Sequence, residues 1–99
     1  MIPAAGEVWS ADRGDEQRRL VVVVSDVRLH RLAGRAIVVP VLTEMPEVAG
    51  PWHVSIDDVR IAAGHLLASV AVDRLHERVD TVPYSVVARL RRVVALITQ

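Results

Sequence analysis

Two arginines and a threonine flank two runs of branched apolar residues, and these polar side chains are the ones that could do chemistry. Arg18 and Arg19 lead into Leu20–Val24, and Thr43 follows Ala36–Leu42. Both apolar runs have the composition of strands buried on two faces. A guanidinium at the mouth of a strand can bind a phosphate through two nitrogens, and a threonine hydroxyl can donate to a phosphate oxygen. If the two strands are neighbours, the sequence predicts a phosphate site at their rim.

Glu16 and Gln17 stand in the connection that leads to Arg19. A carboxylate or an amide at this position can orient the guanidinium. The same residues also fit a simpler interpretation, in which a surface Arg–Glu pair beside a hydrophobic strand protects it from aggregation. Chemistry alone favours the simpler interpretation.

Other reaction types lack their residues. The chain has no cysteine, and its four histidines show none of the paired spacings of metal sites, so neither a metal nor another cofactor is expected. No serine stands in a nucleophile elbow, and Ser25, like the others, has no marked partner in the sequence. There is no phosphate-binding loop of the nucleotide-binding type.

Composition indicates one globular domain, residues 1–99. Of the 99 residues 52% are hydrophobic, but there is no phenylalanine, and a small core of this kind is often completed by dimerisation. The net charge is zero and all twelve basic residues are arginine. No signal peptide and no stretch that could span a bilayer is visible, so we expect a cytoplasmic protein that does not contact membranes.

The chain order of the elements predicts a mostly β fold: a small, strongly curved antiparallel sheet packed on one amphipathic C-terminal helix. Val27–Ala33 could be a helical turn or a loop, and Val59–Gly64 is ambiguous. Pro40 suggests a bulge or an edge in its strand. The helix begins near Pro83, with its apolar face at Val86, Leu90, Val93, Val94 and Ile97. Strands are predicted at Glu7–Ala11, Leu20–Val24, Ala36–Leu42, Trp52–Ile56, His65–Val72 and Leu75–Val79.

Four segments in the right order resemble the MazF/PemK (Kid-like) toxins of bacterial toxin–antitoxin pairs. The family has a Gly-Glu-hydrophobic-Trp strand, a Gly-x-Glu-Gln loop, an Arg before a valine run that ends in Ser, and a strand with Pro and a hydroxyl residue. Its last strand leads through Pro into a C-terminal helix. The four matching segments here are Gly6–Trp9, Gly14–Gln17, Arg19–Ser25 and Val38–Thr43, and the tail Leu75–Pro83 also resembles the family's last strand and Pro.

The resemblance implies an SH3-like barrel and a metal-independent endoribonuclease, which cleaves single-stranded RNA by driving a ribose 2′-hydroxyl onto the adjacent phosphate. It also implies a homodimer and a cognate antitoxin. The catalytic pair maps onto Arg19 and Thr43. Arg18, Arg28 and Arg31 are hypothesised to contact further phosphates because they stand near the strand ends, and a solvated surface arginine is the simpler interpretation of Arg28 and Arg31. Thr43 stands one residue beyond the family's hydroxyl position, which is Leu42 here. A bulge at Pro40 would turn it to the required face.

Two alternatives share this fold. One is a CcdB-like poison of DNA gyrase, which Gly34–Pro40 and Leu67–Val72 resemble. The CcdB branch ends in Trp-Gly-Ile, whereas this chain ends in Ile97-Thr98-Gln99. The other is a non-catalytic binding module of the MazF fold.

Overall fold

A computed structural model describes residues 2–12 and 17–98. The helices are α1, Val27–Ala33, and α2, Tyr84–Ile97, and a single 3-10 turn spans Val72–Arg74. The strands are β1, Glu7–Ala11; β2, Arg19–Val23; β3, Arg35–Leu42; β4, His53–Ser55; β5, Ile61–Ala63; β6, Ala68–Ala71; and β7, Leu75–Thr81.

These seven strands form one antiparallel sheet with the order β4-β5-β3-β2-β1-β7, and β6 pairs with β3. The strands β2 and β3 lie at its centre, with Val21 opposite Pro40 and Val23 opposite Val38. The mostly β fold with a C-terminal helix is therefore confirmed. The two apolar runs are neighbours, as the phosphate-site prediction requires.

Successive residues from Val21 to Val24, along β2 and just beyond it, are buried alternately in two different cores. Val22 and Val24 belong to the helix-side core, which includes Leu90 of α2. Val21 and Val23 belong to the opposite core, with Trp9 of β1. Since successive side chains of a strand point to opposite faces, Arg19 falls on the face of the opposite core. The helix-side core comprises Val8, Val22, Val24, Val39, Val54, Ala62, Val82, Val86, Val87 and Leu90, and the opposite core comprises Trp9, Ala11, Val21, Val23, Ala36, Val38, Val70 and Leu75.

Pro40 occupies a gap in the pairing of β3. The Val24 N–H donates to the Ile37 carbonyl oxygen at 2.9 Å, so odd-numbered residues of β3 direct their main-chain groups at β2 and Pro40 directs its own to the other side. On that side β3 pairs with β6 over residues 35–38 and with β5 over residues 41–42. The missing N–H of Pro40 therefore falls at a local edge between two partner strands. Of the expected bulge or edge, the edge is therefore what the structure shows: pairing with β2 runs without a shift as far as Pro40, and pairing with β5 begins at Val41.

The segment Val27–Ala33, which the sequence left undecided, is a helix with a capping residue at each end. The Asp26 side chain accepts from the Arg28 N–H at 2.8 Å, and Gly34 ends the helix in the left-handed conformation with φ 67°. In α2, Val86, Val87 and Leu90 are buried, whereas Ile97, predicted on the apolar face, is 46% exposed. In the part of the chain that the structure describes, no helix is long and apolar enough to cross a membrane.

Candidate active site

Arg19 is the first residue of β2 and lies at the mouth of a small cleft on the opposite-core face. Its Cα pairs with that of Ala11 in β1. The cleft walls are apolar apart from Arg19 itself, with side chains from four strands: Ala11, Val21, Val38, Pro40 and Val70. A guanidinium beside low-dielectric walls interacts more strongly with an anion than one surrounded by water.

Gln17 holds one side of this guanidinium. The Arg19 Nη2 donates to the Gln17 Oε1 at 3.1 Å. A neutral amide restricts the rotation of the guanidinium without removing its charge. Glu16, the other predicted orienting residue, lies outside the described residues.

Thr43 lies one residue past the end of β3 and is exposed. The pairing of Val21 with Pro40, continued by two residues, sets Leu42 opposite Arg19. By strand alternation within β3, Leu42 falls on the face of Val38 and Pro40, whereas Thr43 lies in a bend beyond the end of the strand. The structure thus brings Arg19 and Gln17 together, and neither Leu42 nor Thr43 is among the described residues that line the Arg19 cleft.

The other three predicted arginines divide into two groups. Arg18 is exposed and directly precedes Arg19. Arg28 and Arg31 are on α1, which follows the far end of β2, about 13 Å of strand away from Arg19. The Arg28 Nε also pairs with the Asp26 carboxylate at 3.0 Å. Only Arg18 therefore adjoins the candidate site.

The glutamate of the Gly6–Trp9 segment has a structural role. Its Oε1 accepts from the Ala4 N–H at 2.7 Å and from the Trp9 Nε1 at 3.1 Å, and its Oε2 accepts from the Arg78 Nη1 at 3.0 Å. Burial raises the pKa of Glu7, but these hydrogen bonds and the Arg78 charge outweigh it, so the pKa lies below its ordinary value of 4.5. Glu7 thereby fastens β1 to β7 and orients Trp9.

Ser25 has a partner that its sequence did not indicate. Its Oγ lies 2.5 Å from the His30 Nε2 and accepts from the Ile37 N–H at 2.8 Å, and the His30 Nδ1 lies 2.6 Å from the Pro3 carbonyl oxygen. Because a carbonyl oxygen can only accept, the His30 Nδ1 donates to Pro3. His30 is only 3% exposed. This bridge satisfies buried groups and ties the N-terminal segment to α1 and β3.

A second polar cluster was also missed at the sequence level. Asp12 accepts from the Arg74 Nη1 at 3.0 Å and is hydrogen-bonded to the His76 Nε2. On the neighbouring strand edge, Arg35 donates to the Ser69 hydroxyl at 2.7 Å. The partners are separated by 34 to 64 positions, so no local spacing could have indicated them. Among the described residues there is no group of three or more potential metal ligands.

The fold is a central antiparallel sheet packed on one C-terminal helix, with an arginine at the start of the second strand. The chain belongs to the PemK-like, MazF-like toxin family of type II toxin–antitoxin systems, whose model matches residues 4–98. No curated protein matches the chain.

Solved structures of the same fold cover nearly the whole chain. A MazE–MazF complex from Deinococcus radiodurans (Form-II) has 20% identity and a TM-score of 0.83, with 99% of this chain and 96% of that chain covered. An endoribonuclease in complex with its cognate antitoxin from a mycobacterial species has 16% identity and a TM-score of 0.83, covering 97% and 94%. The Mycobacterium tuberculosis toxin MazF-mt6 has 11% identity and a TM-score of 0.73, covering 93% and 95%.

Proposed function

We propose that this chain is the toxin of a type II pair and a metal-independent endoribonuclease acting on single-stranded RNA. Family membership supports the toxin assignment, and one structural relative is described as an endoribonuclease with its cognate antitoxin. The observation that carries the proposal is Arg19, positioned at an apolar cleft and held by Gln17.

In this proposal the ribose 2′-hydroxyl attacks the adjacent phosphorus, and the bond to the 5′ oxygen of the next nucleotide breaks. The products are a 2′,3′-cyclic phosphate and a free 5′-hydroxyl. Negative charge grows on the non-bridging oxygens as the fifth bond forms, and the Arg19 guanidinium stabilises it. Because a guanidinium is protonated at any physiological pH, its contribution is electrostatic, and Gln17 and Glu16 orient it.

Thr43 is the second proposed catalytic residue, as a donor to a phosphate oxygen. Its exposed position just beyond the end of β3 leaves its hydroxyl accessible to a phosphate from that end of the strand. Arg18 is proposed to bind the next phosphate. Arg28 and Arg31 would contact the RNA only beyond the far end of β2.

The proposal includes a cytoplasmic homodimer, with RNA across the groove between the subunits and an antitoxin peptide that blocks it. Large apolar side chains exposed in the single chain support a covering partner, among them Leu32 at 89% and Leu96 at 67% exposure. Sedimentation equilibrium of the purified protein tests the dimer. A mass of one chain at every concentration would remove this part of the proposal.

Incubation of the purified protein with a long RNA in EDTA tests the activity. The expected products carry 2′,3′-cyclic phosphate ends or their hydrolysis products. Intact RNA together with inhibited gyrase supercoiling would favour the CcdB-like alternative. Intact RNA with unaffected gyrase would favour the non-catalytic binding module.

A further inference from the structure

His53, the first residue of β4, closes the turn before that strand through two hydrogen bonds to Gly50. The His53 main-chain N–H donates to the Gly50 carbonyl oxygen at 3.0 Å. The Gly50 N–H donates to the imidazole Nδ1 of His53 at 2.9 Å. The loop that ends in this turn begins at Thr43, directly after β3. The imidazole therefore fastens the far end of the β3–β4 loop to the sheet.

The hydrogen bond to the imidazole fixes the protonation state of the ring. A backbone N–H can only donate, so the His53 Nδ1 must carry a lone pair. His53 in the closed turn is therefore neutral, with its proton on Nε2. The next proton that the ring takes up goes to Nδ1, which then becomes a donor. Two donors would face each other, and the hydrogen bond to Gly50 would be lost.

The closed turn is packed on two sides. A Cβ added at Gly50 would lie 2.4 Å from the Trp52 Cζ2, so the glycine backbone lies directly against the indole. The Trp52 carbonyl oxygen accepts from the Gly64 N–H at 2.9 Å, which fastens the turn to the end of β5. On the other side, residues 43–45 and 47–49 of the loop are exposed. The loop is thus the part that moves when the hydrogen bond to His53 is lost.

The nearest titratable group to His53 is His65, with the two ring centroids 5.1 Å apart. A proton on His65 would repel one on His53. The strand partner of His53 is Ala63, which carries no charge. Within residues 2–12 and 17–98, no carboxylate forms an ion pair with either imidazole.

The charged residues of the neighbouring elements lie at the surface. In the loop and in α2 they are all exposed: Glu44, Glu47, Arg89, Arg91 and Arg92. The α2 side chains that line the groove beside Trp52 are apolar, namely Val93, Leu96 and Ile97. At the other end of β4, Asp57 pairs with Arg60 at 2.8 Å. The state of the 50–53 turn therefore depends chiefly on the proton of His53 itself.

We propose that the 50–53 turn is a pH-sensitive element of the fold. It is closed when His53 is neutral, and it opens when Nδ1 takes up a proton. Since an imidazole ordinarily titrates at about pH 6.5, the β3–β4 loop is fastened at neutral pH and released in mild acid. The inference does not rest on the proposed function, because neither RNA nor an antitoxin takes part in it.

Nuclear magnetic resonance of the isotope-labelled protein tests the inference. Long-range proton–nitrogen correlations identify the ring nitrogen of His53 that carries the proton. Amide exchange gives the protection factor of the Gly50 N–H from pH 7.5 to pH 5.0, a range that spans the ordinary titration of an imidazole at about pH 6.5. The first measurement needs no variant.

Two variants, H53N and H65N, locate the responsible proton. Asparagine places an oxygen acceptor on the same side-chain carbon that bears Nδ1 in histidine, and it does not titrate. H65N is the matched control, because it removes the neighbouring imidazole, which lies in the same cluster of rings but is not the partner of Gly50. Circular dichroism establishes that each variant is folded.

At pH 7.5 the proton of neutral His53 should be on Nε2. The protection factor of the Gly50 N–H should fall by about tenfold in acid, the effect of losing one hydrogen bond. H53N should keep a constant protection factor over the same range. H65N should show the same fall as the unmodified protein.

A proton on the His53 Nδ1 at pH 7.5 would overturn the inference, and so would a Gly50 protection factor that does not change with pH. An equal fall in folded H53N, or the absence of the fall in H65N alone, would assign the effect to another group and would overturn it as well. RNA that stays intact in the cleavage assay would refute the proposed nuclease activity and leave the pH-sensitive turn standing.

Discussion

Leu42→Thr is predicted to raise the rate of RNA cleavage. The β2–β3 pairing extends as far as Val21 opposite Pro40. The same register continued by two residues sets position 42 opposite Arg19, and directly opposed residues of an antiparallel pair have Cβ atoms about 4.5–5.5 Å apart. A hydroxyl there would face the same phosphate as the guanidinium. Leu42 is only partly buried, so the change leaves the two cores intact.

The expected gain follows from one new hydrogen bond. A hydrogen bond to a charged group contributes about 1.5–3 kcal/mol, which corresponds to about a 10- to 100-fold higher rate. The lost apolar contact of Leu42 should lower the free energy of unfolding by about 1 kcal/mol, or Tm by about 4–8 °C.

Single-turnover cleavage of an end-labelled RNA in EDTA measures the effect, with Leu42→Val as the control. Valine has the shape of threonine without the hydroxyl. Thr43→Val should lower the rate by less than about tenfold, because Thr43 lies in a bend beyond the end of β3 and is outside the described lining of the Arg19 cleft. Equal rates for L42T and L42V, or a T43V loss as large as that of R19A, would refute the face assignment.

Three further predictions concern stability. Leu90→Ala should lower the free energy of unfolding by about 3–5 kcal/mol in urea titrations, because Leu90 is 0% exposed. Leu96→Ala should lower it by less than about 1 kcal/mol, because Leu96 is 67% exposed. Equal losses for the two variants would contradict the described core. Since the pKa of Glu7 is lowered from 4.5, its stabilisation is present above pH 4.5 and is lost as the pH falls through the folded pKa. Glu7→Gln should therefore reduce the loss of stability on acidification below pH 4.5, and identical pH profiles would contradict this. Ser25→Ala should lower the free energy of unfolding by about 1–3 kcal/mol, because it removes partners of buried groups including His30, and an unchanged urea midpoint would show that this bridge is not stabilising.

Some strands were predictable from the sequence because of their burial. A strand buried on one face alternates apolar and polar residues, and a strand buried on both faces is a continuous apolar run. The central pair β2 and β3 is the clearest case. The seven residues of α1 were undecided, because a helix this short depends on its caps. The strand β5 was also ambiguous, because three residues are too few to show a pattern. It is a strand because it pairs with β3 and β4.

Of the candidate site, the position of Arg19 at the start of its strand was predictable from the sequence, but the face of the Thr43 hydroxyl was not. That face depends on whether β3 contains a bulge, and the pairing of Pro40 depends on two partner strands that lie far along the chain. The polar cluster of Asp12, Arg74 and His76 could not be predicted from the sequence, because Asp12 and Arg74 meet only through the pairing of β1 with β7.

The most direct test of the nuclease proposal is the cleavage of single-stranded RNA in EDTA by the unmodified protein and by R19A, with R89A as the control. Arg19 is exposed, so R19A should keep the stability of the unmodified protein to within about 0.5 kcal/mol. Its cleavage rate should fall by about 10²–10³-fold, the effect of removing one group that stabilises transition-state charge. R89A should cleave normally. A folded R19A that cleaves as fast as R89A would contradict the proposed role of Arg19 in RNA cleavage.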